Sequence, residues 1–270
     1  MPQHCIKHIS LSTFKDVLSR YSSIVPEKLK ELDTLRFETL PATAAKRGVS
    51  EGLSKGELEQ LMSWKLQHGT FRPKLMALVQ QNSAEDVEKV TQKAAALITK
   101  QKDVTDLSAL KTLVELRGVG PATASLVLSV MQPESNPFFS DEIFRWACWD
   151  EPGSPGGWQR KIKYNVNEYA LIVKKIEQLR KRLGTGDVTA LDAERVAWVL
   201  GKEGIDIGEN DAVELSEEAA TEEPKEPGKR LGKAVAAASA EGEDKKTTKR
   251  KAAESKAPAE GVRKSARTKK

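Results

Sequence analysis

The chain has 270 residues, enough for one large domain or two small ones, with 39% hydrophobic residues, 31% charged residues and a net charge of +5. Two cysteines, Cys5 and Cys148, exclude a disulfide scaffold, a four-cysteine zinc site and a four-cysteine iron–sulfur cluster, and three histidines leave little for a histidine-based centre, so no metal and no cofactor are expected. No apolar run reaches the roughly 18 residues of a membrane span. With no signal-peptide pattern the expectation is an intracellular, reducing compartment.

All 14 aromatic residues lie between Phe14 and Trp198. The folding unit is therefore expected over residues 1–202, and a disordered tail over 203–270, which lacks the apolar surface to offset chain entropy. The first 202 residues predict an all-α, multi-helix domain of about ten helices, with no sustained strand alternation. Leu11, Phe14, Val17, Leu18 and Tyr21 mark the first helix. A second is expected from about Pro26 and to stop before Pro41, because the residue before proline avoids the α region. Ser54 and Glu57 form a capping box opening a helix that Gly69 closes. Pro73 starts the next, and Ser83 caps another. Helices are expected over 106–116, 121–131, 141–149, 158–183 and 188–200. Glu151–Gly157 reads as a loop.

The sharpest segment is the hairpin over 106–131, where Leu116-Arg117-Gly118-Val119-Gly120-Pro121-Ala122-Thr123-Ala124 joins two helices. The glycines allow positive φ and close approach of another backbone, and Pro121 occupies the favoured first helical position. Val119 is expected to plug the crevice between the helices. The amides of Val119, Gly120 and the first helical turn are expected to point outward and bind phosphate without reading a base. An ordinary αα-turn is the alternative. This segment resembles the helix-hairpin-helix motif. With Ser140-Asp141-Glu142-Ile143-Phe144-Arg145 some 20 residues on, the stretch over about 106–150 is similar to the helix-hairpin-helix DNA glycosylase superfamily.

The resemblance implies double-stranded DNA as partner, contacted by Gly118, Val119, Gly120, Ala122 and Thr123. It also implies base-excision chemistry in which Asp141 stabilises an oxocarbenium-like sugar or activates water. Helix capping is the plainer role for Asp141. A flipped base needs a pocket, for which Phe139, Trp146 and Trp149 are the candidates, with plain core as the alternative. Ala122 stands where lyase-competent members carry a lysine, so Schiff-base chemistry at that position is unavailable. Asp141 is followed by Glu142 rather than Thr-His. The expected activity is that of a monofunctional glycosylase; the alternative is a non-catalytic DNA- or chromatin-binding relative. The corner Trp64–Pro73 puts basic residues and rings together and reads as solvated, with a phosphate contact as the alternative, and the basic 158–183 helix reads as either a phosphate contact or a solvated face.

The tail is neutral overall but segregated, acidic over 203–226 and basic over 227–270, so the 1–202 unit carries the whole excess, 29 Lys+Arg against 24 Asp+Glu. Basic clusters at Lys245–Lys251 and Arg263–Lys270 point to a nuclear location, with mitochondrial or cytoplasmic as alternatives. The acidic block suits a protein partner or simple solubility.

Overall fold

The computed structural model describes residues 3–69 and 72–208; the tail expectations, including both basic clusters, concern residues outside this range apart from 203–208. The described residues are all-α, with no strand. In chain order the helices are α1 (Leu11–Ser19), α2 (Tyr21–Ile24), α3 (Lys30–Thr34), α4 (Leu40–Arg47), α5 (Lys55–His68), α6 (Pro73–Val79), α7 (Ala84–Lys100), α8 (Ser108–Leu113), α9 (Pro121–Met131), α10 (Asp141–Ala147), α11 (Val166–Leu183) and α12 (Ala190–Glu203). None of them is long and apolar enough to cross a membrane.

Local chemistry sets most of the boundaries. Ser54 Oγ accepts from Glu57 N at 3.2 Å and Glu57 Oε2 from Ser54 N at 2.8 Å, the expected box at the start of α5. Arg47 then grips Glu57 through two nitrogens at 2.7 and 3.0 Å, tying α4 to α5. Ser83 Oγ accepts from Asp86 N at 3.0 Å to open α7.

Two boundaries differ from expectation. The helical path does not stop before Pro41. It runs on into α4 through a π-helical turn at Leu35–Thr39, where Leu40 N donates to Leu35 O, five residues back. Proline removes one donor from the helical ladder, and the widened turn absorbs the mismatch. The long basic helix begins at Val166, not at 158. Its start is a second box, Asn165 with Glu168, and Tyr164 just before it has φ +54°, a conformation that breaks a helix. Lys161 and Lys163 therefore lie outside it.

At the centre is α9, buried over Ala122–Val130. Its small residues, Ala122, Thr123, Ala124 and Ser125, let α8, α4 and α5 pack around it. A polar knot crosses the core beside it. Arg36, fully buried, donates to Ser129 Oγ at 2.6 Å and meets Glu194 at 3.3 Å. Burial pushes the Glu194 carboxyl up to about 7, against the pull of Arg36 and Arg195. Asp33 accepts from Trp64 Nε1 at 2.7 Å and Tyr21 OH at 2.9 Å. Packing continues past residue 202: Trp158 Nε1 donates to Ile205 O at 2.7 Å and Ile207 is buried.

Candidate functional site

The α8–α9 turn is held from behind by α6 and by Asn82, three residues beyond its end. Asn82 accepts from Arg117 N at 2.9 Å and donates to Arg117 O at 3.0 Å. Gly118 has φ +74°, and a Cβ on it would lie 2.9 Å from Leu78 Cβ and from Val79 N. Only glycine fits that close approach. Gly120 has an ordinary φ of −92° and open space where a Cβ would be; neither strain nor packing accounts for it. Val119 is buried between the helices, as a plug would be.

The free donors are not quite the expected set. Val119 N is taken by Leu116 O at 3.2 Å, and Thr123 N by Gly120 O at 2.9 Å. The turn closes on itself through these bonds. The amides of Gly118, Gly120 and Ala122 have no acceptor among the described residues.

Asp141 is tied to this turn through α9. Ser125 Oγ accepts from Phe139 N at 2.9 Å, and Ser140 Oγ caps α10 by accepting from Ile143 N at 3.1 Å. The Asp141 carboxylate then faces a cleft of about 420 Å³, whose lining also includes Gly118, Gly120, Ala122 and Thr123. That volume is in the range of small-molecule sites. Asp141 Oδ1 accepts from Tyr164 OH at 2.5 Å, and Oδ2 pairs with Arg145 at 3.3 Å. Burial, reinforced by Asp141, raises the Tyr164 phenol above its ordinary value. Arg72 lies over the Tyr164 ring, 5.2 Å from its centre.

No family model, curated protein or solved structure matches the chain. The site is therefore argued from its own chemistry.

The rest of the lining corrects two expectations about aromatics. Phe139 does line the cleft, beside Phe138. Trp146 does not: it is fully buried and its Nε1 donates to His4 O at 2.8 Å. Five residues along a helix is about 140° of rotation, so Trp146 points well away from Asp141 and into the core, at the edge of the face that Glu142 and Arg145 turn to the cleft. Trp149 also lies elsewhere, edge-on to Trp158 with ring centres 5.2 Å apart. Their places are taken by Tyr164, which sequence reasoning passed over, and by His68, which it read only as part of the corner after Trp64. Tyr164 arrives from the segment before α11, and His68 from the end of α5. His68 stacks on Trp64 at 4.3 Å and makes no hydrogen bond among the described residues. Burial, with Lys202 and Arg36 adding to it, lowers its pKa to about 3 and keeps it neutral.

Of the corner after Trp64, Lys65, His68, Gly69 and Arg72 line the cleft. Lys65 and Arg72 line the cleft with Arg145 and Lys202, four cations against Asp141 and Glu142. Lys202 lies 3.8 Å from Glu142, whose carboxyl burial pushes upward. The basic face of α11 is largely committed to the protein itself. Lys175 pairs with Glu151 at 2.6 Å, Arg180 donates to Val188 O at 3.0 Å, and Arg182 donates to Ile9 O at 2.7 Å and to Ile6 O at 3.0 Å. The described residues contain no cluster of three His, Cys, Asp or Glu suited to a metal ion.

Proposed function

We propose that this protein binds double-stranded DNA through a helix-hairpin-helix at Gly118–Thr123 and acts as a base-excision glycosylase, hydrolysing an N-glycosidic bond with the help of Asp141. One observation carries the reading: uncommitted backbone donors and a carboxylate line the same net-cationic cleft. Amides and positive charge suit a phosphate, and hold it without regard to sequence. A carboxylate nearby suits the cation that develops on the sugar as its base departs. Neutral His68 and the Phe138–Phe139 wall give an extruded base a donor, an acceptor and apolar faces.

The test is release of damaged bases from a panel of lesion duplexes. Asp141→Asn is expected to abolish release, a loss on the order of a hundredfold or more, while duplex binding stays intact or tightens. Equal release by both proteins refutes the role. Duplex binding is expected to weaken steeply with salt; no binding above that of a neutral control protein refutes the DNA reading.

A second reading, a non-catalytic DNA- or chromatin-binding relative, is favoured by a specific observation: both Asp141 oxygens already have partners, Tyr164 and Arg145. Duplex binding without any base release assigns the chain to it. In either reading the basic residues 227–270 direct the protein to the nucleus, and an unchanged location after their deletion refutes that part.

A further inference from the structure

A second cavity, of about 340 Å³, shares no lining residue with the cleft. It lies where three helices end: Gly48, Gln101 and Gln132, the residues that close α4, α7 and α9, all line it. The stops follow from the sequence. Gly48 takes φ +61°, and Pro133 has no amide with which to continue α9. The loop after α4 is pinned to α7. A Cβ on Gly52 would overlap Glu88 O, Leu53 N donates to Thr91 Oγ1 at 2.8 Å, and Gln92 Nε2 donates to Ser50 O at 2.5 Å. The cavity is therefore formed before anything enters it.

The last carbonyls of a helix have no partner within it and carry partial negative charge, which favours a cation. Ala45, Thr99 and Met131, one from each of these helix ends, line the cavity, and their carbonyls have no donor among the described residues. The lining carboxylate is Glu51, exposed, with Arg47 Nε at 3.6 Å. Arg47 is the one cation among the described lining residues, and it is committed to Glu57, Gly52 O and Glu51. Lys46 and Lys100, in the last turns of α4 and α7, do not line the cavity. Ala44, Leu53, Ala95, Ile98 and Met131 supply apolar surface, and the described lining holds no aromatic ring.

Separate groups of acceptors with apolar surface beside them, and no free cation, suit several ammonium groups joined by methylenes. Quaternary ammonium is held by aromatic faces, which this cavity lacks; a primary ammonium donates directly to carbonyl oxygen. The volume is in the range of small-molecule sites. We propose that this cavity binds an aliphatic polyamine, with its ammonium groups on the carbonyl ends of α4, α7 and α9 and its methylenes on the apolar residues. The proposal is independent of what the cleft takes. The eleven residues of α9 separate the cavity from the Gly118–Thr123 turn by about 16 Å, so its occupant leaves the cleft open.

The experiment titrates spermidine into the full chain at physiological salt, without nucleic acid, by calorimetry and by amide NMR. The expected result is one saturable site, with the largest shifts at Gly48, Gln101 and Gln132. An uncharged alkanediol of similar length is expected not to bind, and N-acetyl-lysine methylamide, with a single ammonium, to bind more weakly than spermidine. Ala45→Lys, at an exposed position of the lining, supplies an ammonium from the protein itself and is expected to abolish the site. Gln178→Lys, the same charge change at an exposed position of α11, is expected to leave it unchanged. Shifts centred on other residues, absence of saturable binding, or undiminished binding in Ala45→Lys overturns the proposal. So does an equal loss in Gln178→Lys, which would mean general charge repulsion. A diol that binds as well as spermidine overturns the role of charge, and a lysine derivative that does so overturns the use of several helix ends. If Ala45→Lys fails to fold, the shifts on the unaltered chain decide.

Discussion

Gly118 and Gly120 lie two residues apart and are expected to respond in opposite ways to a methyl group. At Gly118, φ of +74° lies in the left-handed region, which costs an L-residue about 1–2 kcal/mol. A Cβ there would also meet Leu78 Cβ and Val79 N at 2.9 Å, and moving packed backbone to relieve such contacts costs about 1–3 kcal/mol more. Gly118→Ala is therefore expected to lose about 2–5 kcal/mol. In a domain of this size that lowers the melting temperature by roughly 4–20 °C. At Gly120, φ −92° and ψ −178° suit any residue, and nothing lies within 4 Å of an added Cβ. Gly120→Ala restricts the unfolded chain and is expected to stabilise by about 0.4–1 kcal/mol. Its methyl, however, stands where a DNA backbone would approach, so duplex affinity is expected to fall. Thermal unfolding followed by far-ultraviolet circular dichroism reads the first effect, and fluorescence anisotropy with a labelled duplex the second. Equal melting temperatures for the two variants refute the packing argument. Unchanged affinity in Gly120→Ala refutes close approach at that residue.

Asn82→Ala removes both bonds to the Arg117 backbone and one to Val79 O; a loss of about 1–3 kcal/mol is expected in denaturant titration, with weaker duplex binding, and a wild-type midpoint contradicts the bracing role. His68 is neutral when folded down to about pH 3, whereas in the unfolded chain it takes up a proton near 6.5. The unfolded state then binds one proton more, so stability falls on acidification across that interval by up to about 1.4 kcal/mol per pH unit. His68→Gln is expected to flatten that part of the stability curve, and parallel curves for the two proteins refute the assignment. Arg36→Met strands Glu194 in the core and is expected to cost about 3–5 kcal/mol. Arg36→Met with Glu194→Leu is expected to recover most of it; a double variant as unstable as the single one contradicts the pairing.

Much of the helical framework was legible because its signals are local. The Ser54–Glu57 box, the Ser83 cap and Pro121 at the start of α9 need only neighbouring residues, and they mark helix starts in the structure. The errors arose where two local rules competed. Pro41 argued for a stop, but a wider turn upstream removed the conflict. The helix expected over 158–183 starts later because Asn165 and Glu168 carry its capping box. At the site, Gly118–Thr123 and Asp141 belong to one contiguous stretch and were readable as a pair. Lys65, His68 and Tyr164 were not, because only packing brings α5 and the segment before α11 to the same cleft. Trp146 was misplaced for the opposite reason: closeness in sequence to Asp141 says nothing about which side of a helix it occupies.

The two sides of the cleft are built differently. One hangs on α9, sealed on all sides, with Ser125 linking the turn at its start to the chain entering α10. A side chain added inside α9 would displace both the amide donors and the carboxylate, so that wall tolerates little revision. Of the opposing residues, Tyr164 is tied to the first wall through Asp141 and Phe139, while exposed Arg72 sits just before α6, outside regular helix, where exchange of the side chain touches neither. What the cleft accommodates is therefore open to change at Arg72 alone, without disturbing α9 or Asp141.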